Sequence, residues 1–181
     1  MSIDSTSELP ENHIELDKDG RVLSFINNRQ SHYIVRRESI ECSRENACDI
    51  VNATLAQLAA ASPYLSEWYF AGGDTKENAL QNPAFGVGGR TTIAPESLRP
   101  YRNYWNVDFW NEVRPGMYGE LHFTLGESGP IAALSLILDR RVAEAIDEQR
   151  FTRAIVATLD PTEITVTRAG DPHDHTLYNR P

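Results

Sequence analysis

Gly86-Val87-Gly88-Gly89-Arg90-Thr91-Thr92 is the stretch that most invites a ligand, because glycines let backbone N–H groups approach a phosphate closely. Its context argues against a nucleotide loop: a P-loop needs a lysine before its Ser/Thr and a strand leading in, whereas Asn82-Pro83 precedes this one. A flexible loop is the expectation. Gly126-Glu127-Ser128-Gly129 lacks the residue that a nucleophile elbow places between serine and second glycine, and a hairpin turn accounts for it. Cys42 or Cys48 with His32 or His122 would make a thiol–imidazole pair, but no local signature joins them. On a helix the two cysteines stand about 240° apart around the axis, which predicts reduced thiols and no bridge between them. His173-Asp174-His175 offers ligand types that transition metals favour, in a polar segment that predicts solvated side chains. Glu41/Glu45 and Glu144/Glu148 are i, i+4 acidic pairs. A glycosidase-like acid and base would also need a cleft and a shifted pKa, so solvated helix faces or contacts for a cationic partner are expected instead. The residues therefore predict no catalytic group, no metal site and no cofactor, and the chain is expected not to be an enzyme.

The remaining chemistry is aromatic and acidic. Tyr101, Tyr104, Trp105, Asp108, Trp110 and Glu112 fall in one segment with no clear period and join large aromatic area to negative charge. That combination suits anchors meeting a basic protein surface, and these six are the candidate partner-binding residues. The competing reading is that Trp105 and Trp110 plug the sheet. Trp68 and Phe70 read as core.

Charge narrows the partner. Lys and Arg total 17 against 26 acidic residues, a formal net charge of −9. Nucleic-acid binding needs clustered cations, so no direct nucleic-acid contact is expected, while a cationic protein is compatible. Acidity also serves solubility alone. The apolar run Ile131–Leu138 is far short of the roughly 18 to 20 residues needed to cross a bilayer, and it reads as a buried strand. Met1 to Pro10 shows no basic region followed by an apolar stretch, so a cytoplasmic location with no membrane association is expected.

The positioning elements follow from periodicity. Residues 1–12 read as a disordered arm, 13–170 as one domain and 171–181 as a mobile polar tail. Turn signals at Asp17–Gly20 and Asn27–Gln30 frame strands over 22–26 and 32–35, expected to pair antiparallel. Ala47, Ile50, Val51, Thr54, Leu55, Leu58 and Ala59 fall on one helical face that Pro63 closes. Asp74 and Glu77 suggest a capped second helix ending at Pro83. Residues 82–116 read as irregular. Met117 to Leu125 alternates as a half-buried strand that 126–130 turns back into the 131–138 strand. Arg140–Leu159 fits one helix or two, and a final strand follows over 162–168. The fold class is α+β: an antiparallel sheet of about four to six strands packed against about two to four helices.

In this order the residues resemble the immunity protein 52 family of bacterial polymorphic toxin and type VI secretion systems. The resemblance runs over 33–167. It is carried by Arg37-Glu38-Ser39 and Glu41-Cys42 leading into a helix, Trp68-Tyr69 with Gly72-Gly73, Glu77-Asn78-Ala79-Leu80, Trp105-Asn106, Phe109-Trp110-Asn111, the strand from Gly119 to Gly126, and Leu159-Asp160-Pro161. It implies an α+β domain that binds and silences a cognate toxin, often nuclease-like. The arm and the segment 83–103 depart from the pattern as insertions. The alternatives are a small cytoplasmic enzyme of unknown chemistry, or a regulatory or adaptor domain.

Overall fold

The computed structural model describes residues 12–16, 18–19, 22–27, 29–38, 41–71, 82–114, 117–126 and 132–181. Two strands, β1 (Asn12–Leu16) and β2 (Val22–Asn27), pair antiparallel around the turn at Lys18 and Asp19. Among the described residues, the remaining strands form a nine-stranded sheet: β3 (Gln30–Arg36), β4 (Trp68–Phe70), β5 (Pro83–Phe85), β6 (Arg99–Tyr101), β7 (Tyr104–Arg114), β8 (Met117–Gly126), β9 (Ala132–Asp139), β10 (Glu163–Thr167) and β11 (Asp174–Asn179). The order is β11-β10-β3-β9-β8-β7-β4-β5, with β6 also on β7, and the pairings are antiparallel.

Helix α1 (Arg44–Ala61) starts where the Ser43 side chain accepts the Asn46 N–H, and ends where Ser62 N–H bonds Leu58 carbonyl just before Pro63. The expected apolar face is the buried one, through Ala47, Val51, Thr54, Leu55 and Leu58. Between Arg140 and Leu159 there are two helices. Asp139 caps the short α2 (Arg140–Ala143). Asp147 caps α3 (Glu148–Leu159) by accepting from Gln149 and Arg150 N–H, and this second cap explains the drift of the apolar stripe.

One face of the sheet is the core. Tyr33 and Val35 of β3, Ile164 and Val166 of β10, Leu134, Leu136 and Leu138 of β9, Leu121 and Phe123 of β8, and Val107 and Phe109 of β7 are buried together with Val51, Leu55 and Leu58 of α1 and Phe151, Ile155 and Leu159 of α3. Burying each such side chain stabilises the fold by about 1.5–3 kcal/mol. Trp68 is also buried, its indole N–H donating to Leu65 carbonyl at 2.9 Å. Alternation sends the intervening side chains of the same strands to the opposite face, where they are half-buried and mostly polar.

Four expectations need correction. Among the described residues the sheet has nine strands, because 82–114 is only partly irregular: it supplies β5, β6 and the eleven-residue β7. The 171–181 segment is not a loose tail, since β11 pairs with β10 and its Leu177 and Tyr178 pack on the core. Strand β2 pairs with β1 instead of β3, which sits between β9 and β10. The 127–130 part of the turn lies outside the described residues, as do the helix expected at Asp74 and most of the arm, whose last residue, Asn12, begins β1. The β8–β9 hairpin is as expected.

Candidate functional site

The hairpin of β6 and β7 carries the site. Its register pairs Arg99 with Asn106, Pro100 with Trp105 and Tyr101 with Tyr104, and Arg102 takes a left-handed φ of 52° in the turn between them. The Tyr101 and Tyr104 rings lie 5.3 Å apart, and the Arg102 guanidinium stands 5.6 Å from the Tyr101 ring. Tyr101 is 52% exposed.

Because β7 is a strand, the six candidate residues do not form one surface. Trp105 shares the helix-covered face with Val107, Phe109 and Asn111. Its indole N–H donates to Cys42 carbonyl at 3.0 Å, and the Arg44 guanidinium lies 5.4 Å from its ring. It is an internal brace between β7 and the start of α1. Alternation puts Tyr104, Asp108 and Trp110 on the other face, with Tyr101 beside Tyr104 at the hairpin tip. Glu112 pairs with Tyr118 in the β7–β8 register, and its side chain lies outside the described residues.

Asp108 is not the free carboxylate its sequence context suggests. Arg99 Nη2 bridges one oxygen at 2.6 Å, and His122 Nδ1 lies 2.9 Å from the other. His122 Nε2 is 3.7 Å from Glu120. The hydrogen bond to Asp108, and then the nearby Glu120 carboxylate, outweigh the cost of burial and push the His122 pKa up to about 9. The same hydrogen bond from His122 holds the Asp108 carboxyl below its ordinary value, against an opposing effect of burial. Across β9, His32 Nε2 lies 2.7 Å from Ser135 Oγ, and burial, with the charge of His122, pushes the His32 pKa down.

Sequence reading missed Arg99, Glu120, His122, His32 and Ser135 as one polar group. Alternation along β8 does place Glu120 and His122 on one face, but setting His122 opposite Asp108 requires a register that an irregular 82–116 could not supply. The thiol–imidazole pairs are separated by the sheet. Cys48 is buried against Ile93 carbonyl on the helix side, burial pushes both thiol pKa values up, and His32 and His122 face the opposite way. His175 approaches Asp171 at 2.7 Å, and among the described residues no group of three His, Cys, Asp or Glu side chains is arranged to hold a metal. The 86–90 loop closes on itself through Gly86 N–H to Arg90 carbonyl at 2.7 Å.

Two grooves lie near the β6–β7 hairpin. One, of about 490 Å³, is lined by Arg99, Pro100, Tyr101, Tyr104, Asn106, Asp108 and Thr124. The other, of about 390 Å³, lies against the first half of α1, lined by Arg37, Glu41, Cys42, Asn46, Asp49, Ile50, Leu125 and Gly126. Gly126 is the register partner of Tyr104. Glu41, Glu45, Asp49 and Glu96 are exposed along this end of the molecule. None of the described helices is long and apolar enough to cross a membrane.

No protein-family model matches the chain, and no curated protein matches it either. What the fold defines is a class: α+β, with a broad antiparallel sheet covered by helices on one face and a polar, aromatic-edged surface on the other.

Proposed function

We propose that this chain is an immunity-type protein that binds and neutralises a cationic toxin, of nuclease type, by covering the toxin's active or substrate-binding surface. The observation that carries this reading is Tyr101: a large aromatic, 52% exposed and tilted against Tyr104 at the rim of a groove. Rigid aromatic anchors flanked by charge are what interface hot spots are made of. The acidic residues beside the hairpin, Glu41, Asp49 and Glu96, together with a net charge of −9, would attract and steer a basic partner. The order of motifs, which resembles that of the immunity protein 52 family, supports the same reading. Trp105 drops out of the contact set because its N–H is used inside the fold. Co-expression with the product of the neighbouring gene tests the proposal: protection with a co-purifying, covalently unchanged complex supports it, and protection with no complex opposes it.

A second reading, a small hydrolase, rests on the 2.7 Å contact of His32 Nε2 with Ser135 Oγ, a nucleophile–base spacing. Labelling of Ser135 by a fluorophosphonate would favour it.

A further inference from the structure

Three features of the groove beside Tyr101 call for the same chemical group. The first is Asp108, whose Oδ1 is fixed by His122 and whose Oδ2 is bridged by Arg99 Nη2 at 2.6 Å. The Arg99 side chain is 64% exposed, so water screens that bridge and it holds the arginine weakly. The second is the Tyr101 ring, against which Arg102 places its guanidinium at 5.6 Å. The chain's own hairpin thus supplies a guanidinium to each kind of partner that guanidinium prefers, a carboxylate and an aromatic face. The third is Asn106 Oδ1, which is shielded from water with no hydrogen-bond partner although its residue is paired with Arg99 in the β6–β7 register. A buried acceptor left in this way is costly until a donor reaches it.

We infer that this groove is a guanidinium site that receives an arginine side chain of the protein partner. The inference rests on the reading of the chain as a binder of a cationic protein. An incoming arginine displaces the exposed Arg99 from Asp108 Oδ2, stacks along the tyrosine pair and donates to Asn106 Oδ1. Five N–H donors in a planar fork can serve two separated acceptors at once, whereas the compact ammonium of lysine is a point charge. An anion fits poorly: it would leave Asn106 Oδ1 unpaired and would lie against the Asp108 carboxylate.

The full chain is titrated with N-acetyl-argininamide, and with the citrulline, lysine and aspartate analogues, following backbone and side-chain amide shifts of Asn106. The arginine probe is expected to bind saturably, with the citrulline and lysine analogues weaker by about tenfold. Arg99→Ala removes the internal competitor and Asn106→Asp adds an acceptor, so both are expected to tighten arginine binding, a gain that partial unfolding cannot imitate. Asn106→Leu is expected to weaken it by about tenfold at unchanged melting temperature. The proposal is overturned by absent saturation, by tighter binding of the aspartate analogue, or by weakening in Arg99→Ala or Asn106→Asp. Because the probe is independent of any toxin, the two readings fail separately. Arginine binding without protection from the toxin removes the immunity reading and keeps the site. A toxin complex indifferent to all three variants removes the site and keeps the immunity reading.

Discussion

His122 and Asp108 are direct register partners on β8 and β7, and their side chains close to 2.9 Å on the sheet face away from the helices. Both residues are shifted toward their charged forms by this contact.

A pH dependence follows with a defined sign. The folded His122 pKa, about 9, lies above its ordinary 6.5, so its contribution to stability is fully present below about pH 6.5 and is lost as pH rises through about 9. Asp108 behaves oppositely: its carboxyl is held below 3.8, so its contribution is present above that value and disappears as pH falls through the lowered one. The melting advantage of the native chain over His122→Gln should therefore be widest at about pH 5–6 and shrink toward about pH 10. A gap that stays constant over this range would show that the pair carries no charge-dependent stability.

Trp105 should behave as a brace. Trp105→Phe, which keeps an aromatic ring of smaller area and removes the donor to Cys42 carbonyl, is expected to cost about 1–2 kcal/mol, and Trp105→Ala about 3 kcal/mol or more. Trp110→Ala, on the opposite face of the same strand, should cost less. Urea unfolding of the three variants gives the order, and equal losses for Trp105→Ala and Trp110→Ala would contradict the division of β7 into two faces.

How much of this was legible without coordinates depended on whether a residue's role is set locally. Helix α1 was readable because Ser43, one apolar stripe and Pro63 all agree within a single element. Strands β8 and β9 were readable because alternation and a long apolar run are local patterns. Strand β7 was not, because Asn106, Asp108 and Asn111 are poor strand formers and its aromatics lie on both faces; only pairing with β8 along its whole length explains the conformation. Strand β11 was hidden for a related reason: an edge strand with polar, half-exposed side chains looks like a tail. In the site, the aromatic residues could be picked out by type, but the fate of Asp108 depended on Arg99 and His122, which only the register brings to it.

The Asp108→Lys reversal illustrates the difference. Read as an exposed carboxylate, Asp108 should tolerate it. With Arg99 and His122 both bonded to that carboxylate, the lysine would sit beside two cationic groups. A stability loss of about 1–3 kcal/mol is expected, detectable as a lower urea midpoint, and an unchanged midpoint would contradict the network.

Backbone conformation gives a further test, remote from the site. Gly86 has a φ of +76°, and a Cβ there would stand 1.8 Å from Ser66 carbonyl oxygen. Gly88 has a φ of +60°, with open space around it. Gly86→Ala should cost about 3 kcal/mol or more, and Gly88→Ala about 1 kcal/mol. The reverse order in urea unfolding would show that the 86–90 turn is packed differently.

The central claim, that the chain acts by docking the Tyr101–Tyr104 hairpin and its acidic flank onto a cationic protein, is tested most directly by one measurement. The affinity of the complex with the co-expressed toxin is determined for the native chain and for the Tyr101→Ala/Tyr104→Ala double variant, at low and at high salt. The account predicts at least a tenfold loss of affinity, about 1.4 kcal/mol, in the double variant at nearly unchanged melting temperature, and weaker native binding as salt rises. Native affinity retained in the double variant, with no dependence on salt, would contradict it.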